Sequence, residues 1–329
     1  MEQLSLFDQI NKTEPQETEP EKSKENLNPE NLNTEKQVNA FSERALKYDK
    51  SRQWQKLEFK SDINRTLEHG WLAKYLGAID AELFNRWEYW AYLQKTPSWL
   101  AVKLMSSPFE EVKPEILKFI SEKPFPLIEF EKDTAVADWL YSLISKISKV
   151  GDDSGGWGSV EFFLDWCLFG FGHPLFPSLP EEGDYYQSAN QMLYQCFDLF
   201  PLMAHPHDYL GEILALLQSP MAKDTKKFYP TPMSVVQVMS ALTCTEDDLT
   251  NSFAEFACGS GAIILGASNY HLSGMFRDKS RLFIKATLFQ CFLYAPWFAC
   301  PIWWLKNQSS MAVGNTLTNS VDLEYHSGF

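Results

Sequence analysis

Cys258-Gly259-Ser260-Gly261 is the stretch of this sequence whose residue types and spacing most directly suggest chemistry. Two glycines one residue apart let the backbone turn sharply and let its amide groups approach a ligand closely, because no Cβ stands in the way. The residues before it, Phe253–Phe256, read as a strand, and Ala262–Ala267 reads as the start of a helix. Strand, glycine turn and helix together form the nucleotide-binding corner of a doubly wound α/β sheet. Glu255 stands two positions before Ala257, close enough for its carboxylate to border the same corner.

Other elements must position that corner. Upstream, HDYLGEILALLQ predicts a helix with Leu210, Ile213, Leu214 and Leu217 on one face. Phe228-Tyr229-Pro230-Thr231-Pro232 then leads into a second helix, with Thr231 as its expected N-cap and Pro232 at its first position. Taken as core residues, Phe228 and Tyr229 need no function; taken with the glycine turn, they border a pocket.

These pieces occur in an order that resembles the gamma-type adenine DNA methyltransferases, above all the modification subunits of type I restriction systems. The matching residues are Leu210-Gly211-Glu212-Ile213, then Phe228 with Thr231-Pro232, then Glu255-Phe256-Ala257-Cys258-Gly259-Ser260-Gly261. Further on, Gly314-Asn315-Thr316-Leu317 resembles a later element of that family, and the resemblance covers about 110 residues. Pro230 is inserted relative to the family pattern, and Glu255 replaces the usual Asp. The resemblance implies S-adenosylmethionine as cofactor. The backbone of Ala257, Cys258, Gly259, Ser260 and Gly261 would hold its methionine part, Phe228, Thr231 and Pro232 would border the pocket, and Asn315 would lie near its adenine.

Two departures limit what the resemblance implies. Family members carry an acid at the end of the second strand, where it accepts the cofactor's ribose hydroxyls. No Asp or Glu occurs between Asp278 and Asp322, so Gln290 is the nearest expected substitute. Replacing that charge-assisted contact costs about 1.5–3 kcal/mol. The family also methylates an exocyclic amine through a Pro-Pro motif beside the flipped base. This sequence contains no Pro-Pro dipeptide, and Phe329 follows Leu317 by 12 residues. No catalytic residue is therefore expected. The chain reads as a truncated piece, as half of a split enzyme completed by another polypeptide, or as a degenerate relative kept for binding.

Composition adds bounds. Of 329 residues, 45% are hydrophobic and 15% aromatic, enough for a large core. The net charge is −14, and residues 221–329 hold eight acids and eight bases, so the whole imbalance lies in residues 1–220. An acidic chain is repelled by phosphate at long range, which argues weakly against nucleic acid except through a local patch. Six cysteines without a CxxC pair, and no apolar signal segment in Met1–Lys50, fit reduced thiols in a cytoplasmic protein.

The expected organisation is a disordered tail over 1–40, a helical domain over 41–207 and a methyltransferase-like α/β domain over 208–329. The fold class expected is α/β: a Rossmann-like S-adenosylmethionine-dependent methyltransferase domain, partial or degenerate, preceded by an all-α domain. In the helical part, Leu67, Trp71 and Tyr75, then Leu83 and Trp87, recur at helical spacing, and Ala135–Val150 is amphipathic. Trp87, Tyr89, Trp90 and Tyr92 could stack on bases, but packing of amphipathic helices accounts for them as well. Ala286–Leu305 carries no charge over 20 residues and could span a bilayer. Pro296, Pro301 and Gln290 favour a buried strand followed by a buried helix instead.

At the amino terminus, Gln3-Leu4-Ser5-Leu6-Phe7 resembles the peptide by which bacterial replication and repair proteins dock on the sliding clamp. An extended peptide on a disordered linker suits such docking. Gln3, Leu4, Leu6 and Phe7 would make the contact. His205-Pro206-His207-Asp208 could hold a metal, but a loop or capping role fits its proline better, and no metal is expected. The leading expectation is a DNA adenine methyltransferase-like protein of restriction–modification or mobile-element type, inactive alone. It would have DNA, and a complementing methyltransferase or specificity subunit, as partners. The alternative is a non-catalytic DNA- or protein-binding module tethered to the sliding clamp.

Overall fold

The computed structural model describes residues 68–150, 156–179, 184–218, 228–245, 249–305, 308–315 and 320–325, with the side chains of 148–150 and 184–186 excepted. Gln3–Phe7, the 1–40 tail and Thr316-Leu317 lie outside the described residues.

Residues 68–218 hold nine described helices and no described strand. They are α1 (Ala73–Leu83), α2 (Arg86–Gln94), α3 (Ser98–Ser106), α4 (Phe109–Ile120), α5 (Thr134–Val150), α6 (Trp157–Gly170), α7 (Asp184–Cys196), α8 (Leu199–Ala204) and α9 (Tyr209–Leu216). On α5 the apolar side predicted by periodicity faces inward: Leu140, Leu143, Ile144 and Ile147 are buried and Lys146 is exposed. Helix α6 is largely apolar, and from Val160 to Gly170 its residues are buried except Glu161 and Asp165.

The α/β part comprises α10 (Met233–Thr243), β1 (Ser252–Glu255), α11 (Ala262–Ala267), β2 (Ser273–Asp278), α12 (Arg281–Tyr294), α13 (Pro296–Ala299), β3 (Ser310–Asn315) and β4 (Ser320–Tyr325). The molecule is thus mixed α/β, with a four-stranded sheet of order β1-β2-β3-β4. β1, β2 and β3 run parallel, and β4 returns antiparallel to β3 across a bulge at Val313/Gly314.

Three local expectations are corrected. The second strand is β2, ending on Asp278, so an acid does close it and Gln290 is not in a strand. Ala286–Leu305 is neither a strand followed by a helix nor a span. It contains most of α12, then α13, and no described helix is long and apolar enough to cross a membrane. An element buried on every side has no solvent-facing stripe, so hydrophobic periodicity cannot tell its helix from a strand. Pro232, not Thr231, is the N-cap of α10, with ψ 137°.

Helix α12 is the central element. Every residue from Leu282 to Tyr294 is buried, between the sheet on one side and α6 and α8 on the other. The helical layer and the α/β layer share one compact unit, Leu67–Phe329, and the 207/208 position falls inside it, between α8 and α9. Trp87, Tyr89 and Trp90 are part of this shared core. Trp87 Nε1 donates to the Phe292 carbonyl at 3.0 Å, and Trp90 Nε1 donates to that of Cys300 at 2.6 Å. Tyr92 stacks on Phe119 and its hydroxyl donates to the Phe119 carbonyl at 2.8 Å, so these rings pack against protein groups.

Two surfaces stay open. On α10, Met233, Val236 and Ser240 pack inward against α11, while Val235, Val238, Met239 and Leu242 face solvent. In β2, Gly274, Phe276 and Asp278 are buried on the helix-covered face, whereas on the other face Ser273 is buried, Met275 exposed and Arg277 half-buried, so that face is open only over its later part. That is unusual for parallel strands, which commonly have both faces covered.

Candidate functional site

The register places the ends of the three parallel strands side by side. Glu255, the last residue of β1, lies opposite Phe276, two residues before Asp278. Asp278, the last of β2, lies opposite Val313, two residues before Asn315, the last of β3. Glu255, Asp278 and Asn315 therefore mark the carboxyl ends of neighbouring strands, the end at which open parallel sheets bind ligands.

The glycine turn begins at the same end. Glu255 Oε1 accepts from the Ala257 amide at 3.0 Å, which folds the carboxylate back over the entry to the turn. The Cys258 amide donates to the Arg277 carbonyl at 3.0 Å, tying the turn to β2. Gly259 (φ +55°) and Gly261 (φ +105°) both take the left-handed region, which explains the two glycines. Asp278 Oδ2 accepts from the Gly259 amide at 3.0 Å, and its Oδ1 accepts from the Ser280 amide at 2.8 Å. The acid at the end of β2 is thus fixed against the turn, and each oxygen keeps a lone pair for a further donor.

A buried polar layer supports the turn from behind. Asp208 caps α9 by accepting from the Gly211 amide at 2.8 Å. Its other oxygen accepts from the Ser260 hydroxyl at 2.6 Å. Gln290 of α12 donates to Asp208 Oδ1 at 3.0 Å and to the Ser260 carbonyl. Thr287, one turn earlier, donates to the Gly259 carbonyl at 3.0 Å. Burial raises the pKa of Asp208, while the bonds from Ser260, Gly211 and Gln290 oppose that rise. Burial also pushes the Cys258 thiol well up, so Cys258 is a small apolar filler here.

One wall is aromatic. The Phe228 ring lies 3.1 Å from where a Cβ on Gly259 would stand, and it packs on Phe283 at 4.4 Å between centroids. Phe283 in turn meets Trp157 at 5.6 Å. Phe228, Glu255 and Ala257–Gly261 are therefore brought together. Thr231 and Pro232 lie at the entry to α10, half-buried and exposed respectively, and Asn315 is exposed at the edge of the strand ends. His205 and His207 approach Asp133 and Glu212, and no cluster of metal-ligating side chains occurs among the described residues.

Asp278 and Thr287 carry no role in the sequence reading, whereas Asp208 takes the capping role expected for the His205–Asp208 stretch and adds an unforeseen bond to Ser260. A signal existed for the first: Asp278-Lys279-Ser280 stands just before a long apolar run, a pattern that stops a strand and starts a helix. No family model, curated protein or solved structure matches this chain.

Proposed function

We propose that the chain is an S-adenosylmethionine-binding relative of the amino-methylating DNA methyltransferases, of restriction–modification or mobile-element type, that does not transfer a methyl group by itself. The observation that carries this reading is the contact of Asp278 Oδ2 with the Gly259 amide. It puts a carboxylate from the second strand against a glycine turn that follows the first. In a Rossmann-like site of this kind, the turn amides face the methionine part of the cofactor and the carboxylate accepts the ribose hydroxyls. Phe228 would cover the turn, and Asn315 would meet the adenine edge, where an amide both donates and accepts. The absence of a Pro-Pro dipeptide from the 329 residues supports the second half of the reading, since nothing then orients a target amine. DNA and a complementing subunit are the partners this role needs.

Titration calorimetry with S-adenosylmethionine tests it. The wild type should bind, and Asp278→Ala should weaken binding by roughly one to two decades while Met275→Ala does not. An absence of heat at millimolar ligand would sink the cofactor reading. Labelled methyl incorporated into DNA by the chain alone would sink the claim of inactivity.

A further inference from the structure

A thiol and an imidazole that the cofactor corner does not use meet beyond the end of α10. Cys244 Sγ lies 3.5 Å from His271 Nε2, and His271 Nδ1 lies 3.2 Å from the carbonyl oxygen of Asn251. A carbonyl can only accept, so Nδ1 carries the proton and Nε2 turns its lone pair to the thiol. The ring is held rigidly: His271 is 7% exposed and lies 5.6 Å from the Phe253 ring. Cys244 itself is half-buried, so a small reagent can reach Sγ. A nucleophile, a base within hydrogen-bond reach and a third group that orients the base form the arrangement by which weak nucleophiles are activated.

The surroundings shape how the proton moves. Cys244 is the C-cap of α10, where the carbonyl end of the helix disfavours an isolated thiolate and favours a nearby cation. From α4, Lys113 Nζ reaches Asn251 Oδ1 at 3.4 Å and adds positive charge beside the segment that supplies the accepting carbonyl.

We propose that Cys244 and His271 form a thiol–imidazole dyad, a modification site for small neutral disulfides. Sγ attacks one sulfur of the disulfide, its proton moves to His271 Nε2 and the reagent's S–S bond breaks. The departing thiolate then takes the proton from the imidazolium. One thiol and one disulfide enter, and one mixed disulfide and one thiol leave, with no other oxidant.

Cys196 supplies an internal comparison, being free and exposed on α7. The full chain would be treated with 2-hydroxyethyl disulfide near neutral pH, and adducts at each cysteine followed by residue-resolved mass spectrometry. Cys244 should react about tenfold faster than Cys196. His271→Asn keeps a donor for the Asn251 carbonyl but has no basic nitrogen, and it should slow Cys244 to about the rate of Cys196. Equal rates in the wild type, or an unchanged rate in His271→Asn, would overturn the proposal. Should that variant fail to fold, the comparison of two cysteines within the wild-type chain still decides.

Discussion

Arg86 and Ser268 stand 182 positions apart in sequence, yet Arg86 Nη1 donates to the Ser268 hydroxyl at 2.8 Å. The same guanidinium donates to the carbonyls of Pro126 and Tyr294 and to the Asn269 side chain, and it lies 4.9 Å over the Trp297 ring. It is fully buried, and burial lowers its pKa to about 9. One side chain thus joins α2 to the end of α11 and the end of α12.

Replacing that residue should be severe. Arg86→Met leaves several acceptors without a donor and leaves the buried Asp80 carboxylate without its positive neighbour, a loss of about 3–5 kcal/mol. Urea unfolding followed by circular dichroism would measure it. A loss under about 1 kcal/mol would mean that the guanidinium bonds contribute little.

Gly211→Ala probes the layer behind the glycine turn. A Cβ there would stand 2.4 Å from Asp208 Oδ2 and 2.7 Å from Ser260 Oγ. The variant should lose about 1–3 kcal/mol of stability, and amide exchange at Gly259–Gly261 should quicken as Asp208 is pushed off Ser260. Unchanged exchange with lowered stability would show that the turn does not depend on this support.

Asp198 gives a pH dependence with a defined sign. Burial raises its pKa from 3.8 to about 6, although its side chain accepts from the Phe200 amide at the start of α8. Between about pH 4 and 6 the folded state therefore holds more protons than the unfolded one, and this residue's contribution to stability falls as pH rises. Asp198→Asn keeps a cap and removes the titration. Above pH 6 it should be more stable than wild type by on the order of 1–3 kcal/mol, with the difference shrinking towards pH 4. A difference constant across that range would count against the assignment.

The open side of α10 should tolerate charge. Leu242 is 80% exposed and Val236 fully buried. Leu242→Glu should change stability by less than about 0.5 kcal/mol, whereas Val236→Asp should cost several. Parallel thermal melts would test both, and a large loss from Leu242→Glu would show that this side is covered in solution.

Much of this architecture was legible. Strand, glycine turn and helix around Cys258–Gly261 follow from period and residue type, and the amphipathic α5 follows from its spacing. What stayed illegible has a common physical cause. α12 is buried on every side, so nothing in its sequence marks a solvent face, and it passed for a strand. That displaced the second strand and hid Asp278. The place of Asp208 behind the glycine turn escaped because its partners there, Ser260 and Gln290, lie 52 and 82 positions away. Only the folded chain brings them together.

β2 has a further property, which concerns chain length rather than composition. Side chains alternate along a strand, so Phe276 and Asp278 reach the helix-covered side because their positions share the same parity. Substitutions at Met275 or Arg277 alter only the open side. Inserting or deleting a single residue between Ser273 and Asp278 would invert that parity and turn the carboxylate away from Gly259. Variation in this strand is therefore easiest at the exposed Met275 and closed to any change in count.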